Sequence, residues 1–226
     1  MQRYTQIQMT IPCQTTKELL SKAYALNHMS VGELARQWQF SMPNDTRSSK
    51  GFVGQLLEIA LGTDSGNKPQ PDFEHLGIEL KTIPINPKGQ PLESTFICSA
   101  PLNPILGQTF EESLLYKKLK KILWIPIITA QKSQPFIERK IGRAILWEPS
   151  TEEYTTVKTD WEELIEMISL GQLANITANH GTYLQLRPKA ANARVLSKGI
   201  GEQGEPILTL PRGFYLRADF TKKILK

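Results

Sequence analysis

The sequence is poor in residues that bind transition metals, and it has no hydrophobic run of membrane length. Its two cysteines, Cys13 and Cys98, form no Cys-x-x-Cys pair, and neither stands at metal-ligand spacing from the three histidines. These absences argue against zinc binding and thiol redox chemistry. The longest apolar run, residues 122–128, is too short to span a bilayer, and the first residues lack the apolar core of a signal peptide. A cytoplasmic protein with no membrane partner is therefore expected.

The chain also lacks internal repeats, low-complexity tracts and any composition break that would mark a linker. Its 226 residues, 40% of them hydrophobic and 22% charged, suffice for one sizeable core or two modest lobes. The net charge of +5 is uneven: residues 180–226 hold nine Lys and Arg against three acids, a net +6, so the other 179 residues sum to −1. A basic end on a near-neutral body indicates a polyanionic partner, although an ordinary solvated surface has the same signature.

Residues 72–82 form the most informative group of charged residues. Side chains alternate along an extended strand, so Glu79 and Lys81 share one face while Ile78 and Leu80 share the other. Asp72 precedes this strand. The carboxylates of Asp72 and Glu79 can together hold a hard divalent ion such as Mg²⁺, which neutralises a phosphate and activates a bound water. An Asp followed by Glu-x-Lys therefore fits restriction-type nucleases. On its own, Glu-x-Lys on a strand is also the pattern of a solvated ion pair.

A helix is predicted from Gly51 to Leu61, because five apolar residues recur there at helical spacing and Gly62 then stops it. Glu58 lies about 140° around this helix from the first of those residues, on the border of the buried stripe. It is either an ordinary boundary charge or a carboxylate aimed at a polar site beneath the helix. Asp72 follows only fourteen positions later, so the second interpretation is geometrically possible.

Capping boxes predict three further helices. Two short ones begin at Thr15 and Ser30, and an amphipathic one begins at Thr159 and closes at Gly171. A helix is also expected at residues 111–121, with lysines in its last turn.

Strands are predicted from β-branched and aromatic runs. Residues 94–99 are expected to pair with the strand of residues 78–82 across a turn at 85–91, since consecutive strands usually pair. The other predicted strands are a buried one at 122–129, its neighbour at 144–147, and those at 183–187 and 206–216.

Ten segments match one known family in a single register between about residues 15 and 222. They are residues 50–51, 56–58, 61–62, 72–73, 76–84, 91–93, 160–164, 176–178, 187–193 and 213–216. In these segments the sequence resembles the DNA mismatch repair endonuclease family MutH. Residues 113–120 depart from the pattern, because Leu114, Leu115 and Tyr116 stand where the family commonly has His-Val-Arg.

The resemblance implies an α/β protein with a mixed sheet and a restriction-endonuclease-like fold, whose two lobes form a clamp on duplex DNA. The catalytic lobe would contain residues of about 15–125, and a basic DNA-reading part would contain about 176–226. The implied reaction is Mg²⁺-dependent nicking of the unmethylated strand at hemimethylated GATC sites, 5′ to the G. Mn²⁺ or Ca²⁺ would substitute in binding. A MutL-type mismatch repair ATPase would activate the protein, which is expected to be a monomer.

The resemblance also implies roles for individual residues. Asp72 and Glu79 would be metal ligands with the backbone carbonyl of Leu80, and Glu58 would complete the acidic cluster. Lys81 would position or activate the water, while Lys50 would act at the phosphate or in the active site. The implied DNA-binding residues are Arg187, Pro188, Lys189, Tyr215, Phe96 and Lys118, with Tyr215 near the adenine whose methylation is tested.

Two other functions remain open from the sequence. One is a type II restriction-like endonuclease that cuts both strands at GATC. The other is a non-catalytic DNA-binding protein that senses methylation. The intact set of Glu58, Asp72, Glu79 and Lys81 argues against the latter, because a purely binding protein has no need of acids that repel a phosphate.

Overall fold

The computed structural model describes residues 11–41, 51–63, 69–103, 107–131, 133–189 and 194–226. Its helices and strands, in chain order, are α1 (Thr16–Ala25), α2 (Val31–Gln37), α3 (Phe52–Leu61), β1 (Glu79–Ile85), β2 (Thr95–Ser99), α4 (Leu114–Leu119), β3 (Ile122–Ile128), β4 (Lys140–Ile141), β5 (Ile145–Trp147), α5 (Thr151–Ser169), β6 (Leu184–Pro188), β7 (Ser197–Ile200), β8 (Pro206–Thr209), β9 (Arg212–Leu216) and α6 (Ala218–Ile224). Within the described ranges, no helix combines the length and apolar character needed to cross a membrane.

The chain divides into two compact units, each built from two separate segments. Unit 1 contains Met1–Leu92 and Lys121–Trp147, and unit 2 contains Glu93–Lys120 and Glu148–Lys226. The chain therefore passes from one unit to the other three times. Residues 93–120 group with the C-terminal residues, whereas the family resemblance implied a catalytic lobe of about residues 15–125. The clamp around DNA stays a prediction.

A mixed sheet with β3 at its centre is the framework of unit 1. β1 runs parallel to β3, from Glu79 opposite Ile122 to Ile85 opposite Ile128. The other edge of β3 is shared by two short antiparallel strands, β5 beside its first half and β4 beside its end. Every residue of β3 except the last is buried, as expected of an inner strand with a continuous apolar sequence. This arrangement confirms the predicted α/β class and the neighbour predicted at 144–147.

The partner predicted for the site strand is wrong. β2 pairs antiparallel with β9, while β1 pairs with β3. The turn after β1 does form, with Gly89 N donating to Asn86 O at 2.9 Å, and the returning chain makes a bridge between Ile85 and Pro91. Because proline has no N–H to donate, the pairing cannot extend there as a regular ladder. The next segment, from Glu93, belongs to unit 2.

The helices α1 and α2 begin at their predicted caps. The Ser30 hydroxyl accepts from Glu33 N at 3.1 Å, and the Glu33 carboxylate accepts from Ser30 N at 2.7 Å, which completes a capping box. Thr15 caps α1 by accepting from Glu18 N at 3.2 Å, but the Glu18 carboxylate accepts from Gln14 N instead. Local sequence therefore fixes both helix starts.

The helix α3 packs its predicted apolar stripe into the core of unit 1. Leu56, Leu57 and Leu61 are fully buried, while Val53 is only partly buried and Phe52 is buried beside it. Gly62 ends the helix with a φ of 92°, a left-handed conformation that glycine adopts without strain.

Unit 2 contains a three-stranded antiparallel sheet in the order β2-β9-β6. Its long helix α5 begins at Ser150, which forms a capping box with Glu153. The predicted start at Thr159 is wrong, because that residue lies inside the helix and its hydroxyl donates to Thr155 O at 3.0 Å. A two-stranded hairpin, β7 with β8, completes the strands that the structure describes in this unit.

The helix predicted at 111–121 is shorter than expected, because α4 begins only after Ser113, its N-cap. Glu111 lies before the helix, and its carboxylate accepts from Lys158 Nζ at 2.8 Å and from the Tyr154 hydroxyl. The hydrogen bond from Lys158, followed by that from Tyr154, lowers the pKa of Glu111 to about 2. This contact fastens the residues before α4 to α5.

Candidate functional site

A tight reversal of the chain brings Asp72 beside β1, the strand that contains Glu79. Phe73 and Ile78 form an antiparallel bridge, in which Phe73 N donates to Ile78 O at 2.8 Å. One 3-10 turn and Gly77, whose φ is 65°, close the loop between them. The Asp72 carboxylate therefore lies beside β1, where its Oδ2 accepts from Leu80 N at 2.8 Å.

The two edges of β1 have different surroundings at this point. Glu79 N donates to Lys121 O at 3.0 Å, next to the start of β3. Successive peptide groups of a strand point to opposite edges, so the amide and the carbonyl of Leu80 point away from β3, on the side of Asp72. Among the strands described in the structure, none pairs with β1 along that edge. The Leu80 carbonyl therefore lies on the same edge as the Asp72 carboxylate, as a ligand role requires.

Glu79 is a buried carboxylate. The residue is 1% exposed, and its Oε1 accepts a hydrogen bond from Lys81 Nζ, whose side chain is 17% exposed. A charge removed from water requires an opposite charge or a ligand. Lys81 meets that requirement for Glu79. The Glu-x-Lys pair is therefore not the solvated ion pair that its sequence alone allowed.

Glu58 lies in the last turn of α3 and is half-buried. Its carbonyl accepts from Thr63 N at 2.8 Å, and the Thr63 hydroxyl donates to the Asp72 carbonyl at 2.5 Å. These two bonds tie the end of α3 to the residue that contributes an acid beside β1. Thr63 was not predicted from the sequence. Its only local signal is its position directly after Gly62, the glycine that ends the helix.

All the predicted ligand atoms are oxygens: the carboxylates of Asp72, Glu79 and Glu58, and the carbonyl of Leu80. Hard oxygen donors suit Mg²⁺ better than a metal that prefers thiolate or imidazole, so the residues fit the implied ion. Among the described residues, no three histidine, cysteine, aspartate or glutamate side chains form a metal-binding group. The structure thus does not bring the carboxylates of Asp72, Glu79 and Glu58 together as one such group, and the fit rests on the type of donor atom and on the position of Asp72 beside Leu80. Lys50, the other predicted catalytic residue, lies outside the described residues.

In unit 2, two cations and two aromatic rings lie in contact along the sheet. Phe96 on β2 lies directly opposite Tyr215 on β9, with ring centroids 5.3 Å apart and an interplanar angle of 63°. Lys189 Nζ lies 3.2 Å from the centre of the Phe96 ring, and Arg187 Cζ lies 5.6 Å from the centre of the Tyr215 ring. Cation–π attraction stabilises both contacts. Four predicted DNA-binding residues thus form one cluster, and Pro188 lies between its two cations in the chain.

Two residues without a predicted role give this cluster its geometry. A Cβ added to Gly213 would lie 2.7 Å from the Phe96 ring, so only glycine leaves room for that ring. The Ser94 hydroxyl accepts from Gln185 Nε2 at 2.9 Å and from Arg187 Nη1 at 3.3 Å. The available signal for Gly213 was a glycine inside an aromatic strand, which often marks a close approach.

Two further observations concern the predicted DNA-binding residues Tyr215 and Lys118. Burial raises the pKa of the Tyr215 phenol, and the charge of Arg187 opposes that shift. The phenol is therefore a neutral hydroxyl at physiological pH. Lys118 is half-buried on α4, and this helix packs against β2, the strand of Phe96.

Comparison with known proteins identifies similar sequences. A family model described as the DNA mismatch repair enzyme MutH matches residues 61–160. The DNA mismatch repair protein MutH of Vibrio cholerae serotype O1 is 53% identical over 212 residues, which is 94% of this chain and 96% of that protein. MutH of Salmonella paratyphi B is 52% identical over 207 residues, 92% of this chain and 89% of that protein. The similarity thus runs nearly from end to end of both chains.

Proposed function

The chain belongs to the MutH family of DNA mismatch repair enzymes, and on that premise we propose how its residues act. As a member of this family it is an endonuclease of DNA mismatch repair with a restriction-endonuclease-like fold. Its reaction is the nicking of the unmethylated strand at hemimethylated GATC sites. The observation that supports this reaction best is the buried pair of Glu79 and Lys81 on β1, with Asp72 held by the Leu80 amide of the same strand.

Asp72, Glu79 and the Leu80 carbonyl would hold Mg²⁺, and Glu58 would complete the acidic cluster; Mn²⁺ or Ca²⁺ would substitute in binding. When bound, the ion neutralises charge on the phosphate and lowers the pKa of a bound water. The Leu80 amide keeps the Asp72 carboxylate against β1 before any ion arrives.

The Lys81 ammonium has two tasks in this proposal. In the structure it neutralises Glu79. With DNA present, it orients the attacking water or offsets the negative charge that develops on the phosphate. Lys50 is proposed to act on the phosphate side of the same reaction.

The cluster on the sheet of unit 2 would read the DNA. Arg187 can donate two hydrogen bonds to O6 and N7 of one guanine, and Lys189 can bind phosphate or base edges. Tyr215 would pack near the adenine, where a methyl group intrudes, and Phe96 supports its ring from the neighbouring strand. Pro188 would shape the loop between the two cations, and Lys118 would contact the DNA backbone.

The proposed partners follow from the family. Duplex DNA with a hemimethylated GATC site is the substrate, and a MutL-type mismatch repair ATPase is the activator. The protein would act as a monomer in the cytoplasm, where its substrate lies. Both of its cysteines, Cys13 and Cys98, are buried free thiols, which accords with a reducing compartment.

A plasmid with one GATC site tests the proposal. The site is prepared hemimethylated, unmethylated or fully methylated, and products are separated on a gel with Mg²⁺ and again with EDTA. We expect nicked circles from hemimethylated DNA in Mg²⁺ only. Glu79→Ala should abolish nicking and keep DNA binding, whereas Glu74→Ala, an exposed acid in the loop before β1, should nick as the parent does.

Other products would contradict the proposal in distinguishable ways. Linear DNA from the unmethylated plasmid would identify an enzyme that cuts both strands. Retention of DNA without breakage would identify a methylation-sensing binding protein. Unchanged nicking by Glu79→Ala would remove Glu79 from the metal site.

A further inference from the structure

A carboxylate that belongs to neither group of predicted site residues lies buried in unit 2. Asp160 on α5 is 4% exposed. Its Oδ1 accepts from Thr182 N at 2.7 Å, and its Oδ2 accepts from Tyr183 N at 2.7 Å and from Leu184 N at 2.8 Å. Three main-chain donors converging on one carboxylate form a strong and directional anchor.

This anchor acts at the start of the strand that contains Arg187. Leu184 is the first residue of β6, and β6 pairs with β9 from Leu184 opposite Leu216 to Pro188 opposite Arg212. The strand rises by about 3.3 Å per residue, so a carboxylate that fixes Leu184 fixes the Arg187 main chain about 10 Å further along. In that register Gln185 lies opposite Tyr215.

The segment that enters β6 is adapted to this carboxylate. Gly181 has a φ of 75°, and a Cβ added to it would lie 2.2 Å from Leu184 O and 3.3 Å from Asp160 Cγ. On the other side, Arg217 Nη2 donates to Ala178 O at 2.6 Å and to His180 O at 2.8 Å. The turn is thus held by a carboxylate through its amides and by a guanidinium through its carbonyls.

We propose that Asp160 is a positioning residue for sequence readout, which sets the start of β6 so that Arg187 lies on the Tyr215 ring. The inference rests on the proposed function, because it assumes that this cluster reads GATC. A slip of β6 by one residue would turn Arg187 to the opposite face of the sheet. Asp160 therefore influences DNA recognition without touching DNA.

The variant Asp160→Asn tests this role because it keeps the shape and changes the hydrogen bonding. In either orientation its amide NH₂ faces at least one of the three N–H donors, which leaves that donor without an acceptor. We expect the ratio of affinities for a GATC duplex and a duplex with one base pair changed to fall about tenfold. Affinity for unrelated DNA should stay nearly constant, since phosphate contacts dominate it.

Two controls separate positioning from a general loss of stability. Leu164→Ala, on the same helix and fully buried in the parent, destabilises the unit without touching the carboxylate. Glu162→Gln makes the same carboxylate-to-amide change at an exposed site. At temperatures where they are folded, both variants should show the same ratio of affinities for the GATC duplex and the altered duplex as the parent. Binding is measured by fluorescence anisotropy with Ca²⁺, and unfolding by circular dichroism.

The outcomes can be told apart. If the parent itself shows no GATC preference, the proposed function fails, and the inference with it. If the parent prefers GATC and folded Asp160→Asn has the same preference, only the inference is overturned. The same holds if Leu164→Ala loses as much of the GATC preference as Asp160→Asn does. Should Asp160→Asn not fold, Arg217→Met decides. It removes the guanidinium that donates to the two carbonyls of the same turn, so an unchanged GATC ratio in that variant would show that the turn does not control readout and would also overturn the inference.

Discussion

Replacing Lys81 with methionine removes the ammonium that contacts a buried carboxylate, and its cost can be measured without DNA. Glu79 is 1% exposed and accepts a hydrogen bond from Lys81 Nζ. Deleting one partner of a buried ion pair costs about 3–5 kcal/mol, because the other charge stays in a poorly polarisable environment. Since the Lys81 side chain is 17% exposed, water can replace part of its effect, and we expect the lower end, about 3 kcal/mol. In a chain of this size that lowers Tm by about 6–12 °C.

The measurement is urea unfolding in EDTA, followed by circular dichroism, of the parent, Lys81→Met, Glu79→Gln and the double variant. These four proteins form a double-mutant cycle, which isolates the energy of the pair. The double variant should be more stable than Lys81→Met, because no charge remains to be neutralised. Lys88→Met, an exposed lysine in the turn after β1, is the matched control and should change stability by less than about 0.5 kcal/mol.

Mg²⁺ gives the same reasoning a second test. At about one hundred times its Kd, a ligand that binds only the folded state adds about 2.7 kcal/mol. The ion should therefore restore most of the stability that Lys81→Met loses, because it supplies the missing positive charge at Glu79. Equal stability of the parent and Lys81→Met in EDTA, together with a cycle that shows no coupling, would refute the argument.

Three further changes test other contacts. Gly213→Ala would place a Cβ 2.7 Å from the Phe96 ring, so anisotropy should show about tenfold weaker GATC binding; unchanged binding would contradict the packing argument. The pKa of Glu111 is lowered to about 2 from 4.5, so its carboxylate stabilises the fold above pH 4.5, and that contribution disappears as the pH falls toward 2. Glu111→Gln should lack this part of the acid unfolding curve, and superimposable curves would disprove the assignment. Thr63→Val removes the donor to the Asp72 carbonyl and should cost about 1 kcal/mol on urea unfolding with slower nicking; parental values of both would exclude the link.

Features that depend on neighbouring residues could be predicted from the sequence. The caps at Thr15 and Ser30 and the stop at Gly62 each require residues within one turn of helix, and each is confirmed. The start of α5 was wrong for a related reason. Ser150 and Thr159 both stand three residues before a glutamate, and nothing local distinguishes a cap from a residue inside a helix with that spacing.

Strand partners depended on distant residues and could not be predicted. β1 and β2 are neighbours in sequence, yet β1 pairs with β3 and β2 with β9. The burial of Glu79 could not be predicted for the same reason. Alternation along a strand shows which residues share a face, but it does not show which face water reaches. Only the placement in unit 1 beside β3 made the pair of Glu79 and Lys81 a buried one.

The same distinction between local and long-range contacts applies to the candidate site. The spacing of Glu79 and Lys81 on one strand indicated that the two side chains share a face, and the structure brings them into contact. Phe96 and Tyr215 meet only because β2 and β9 pair, whereas the sequence predicted that β2 pairs with the site strand; the family resemblance implied only that both residues lie near DNA. The supporting roles of Ser94, Gly213 and Thr63 required coordinates, because each role is a contact across elements.

The threefold passage between the units sets an order of events during synthesis on the ribosome. β1 cannot pair with its sheet neighbour until β3 has been made, and the edge contact of Phe96 with Tyr215 must wait for β9, which comes much later in the chain. The pair of Glu79 and Lys81 can therefore assemble in the nascent protein well before the residues that would restrict it to GATC. A stalled polypeptide that ends before β9 would therefore contain the proposed metal-binding residues without the complete cluster that is proposed to read DNA.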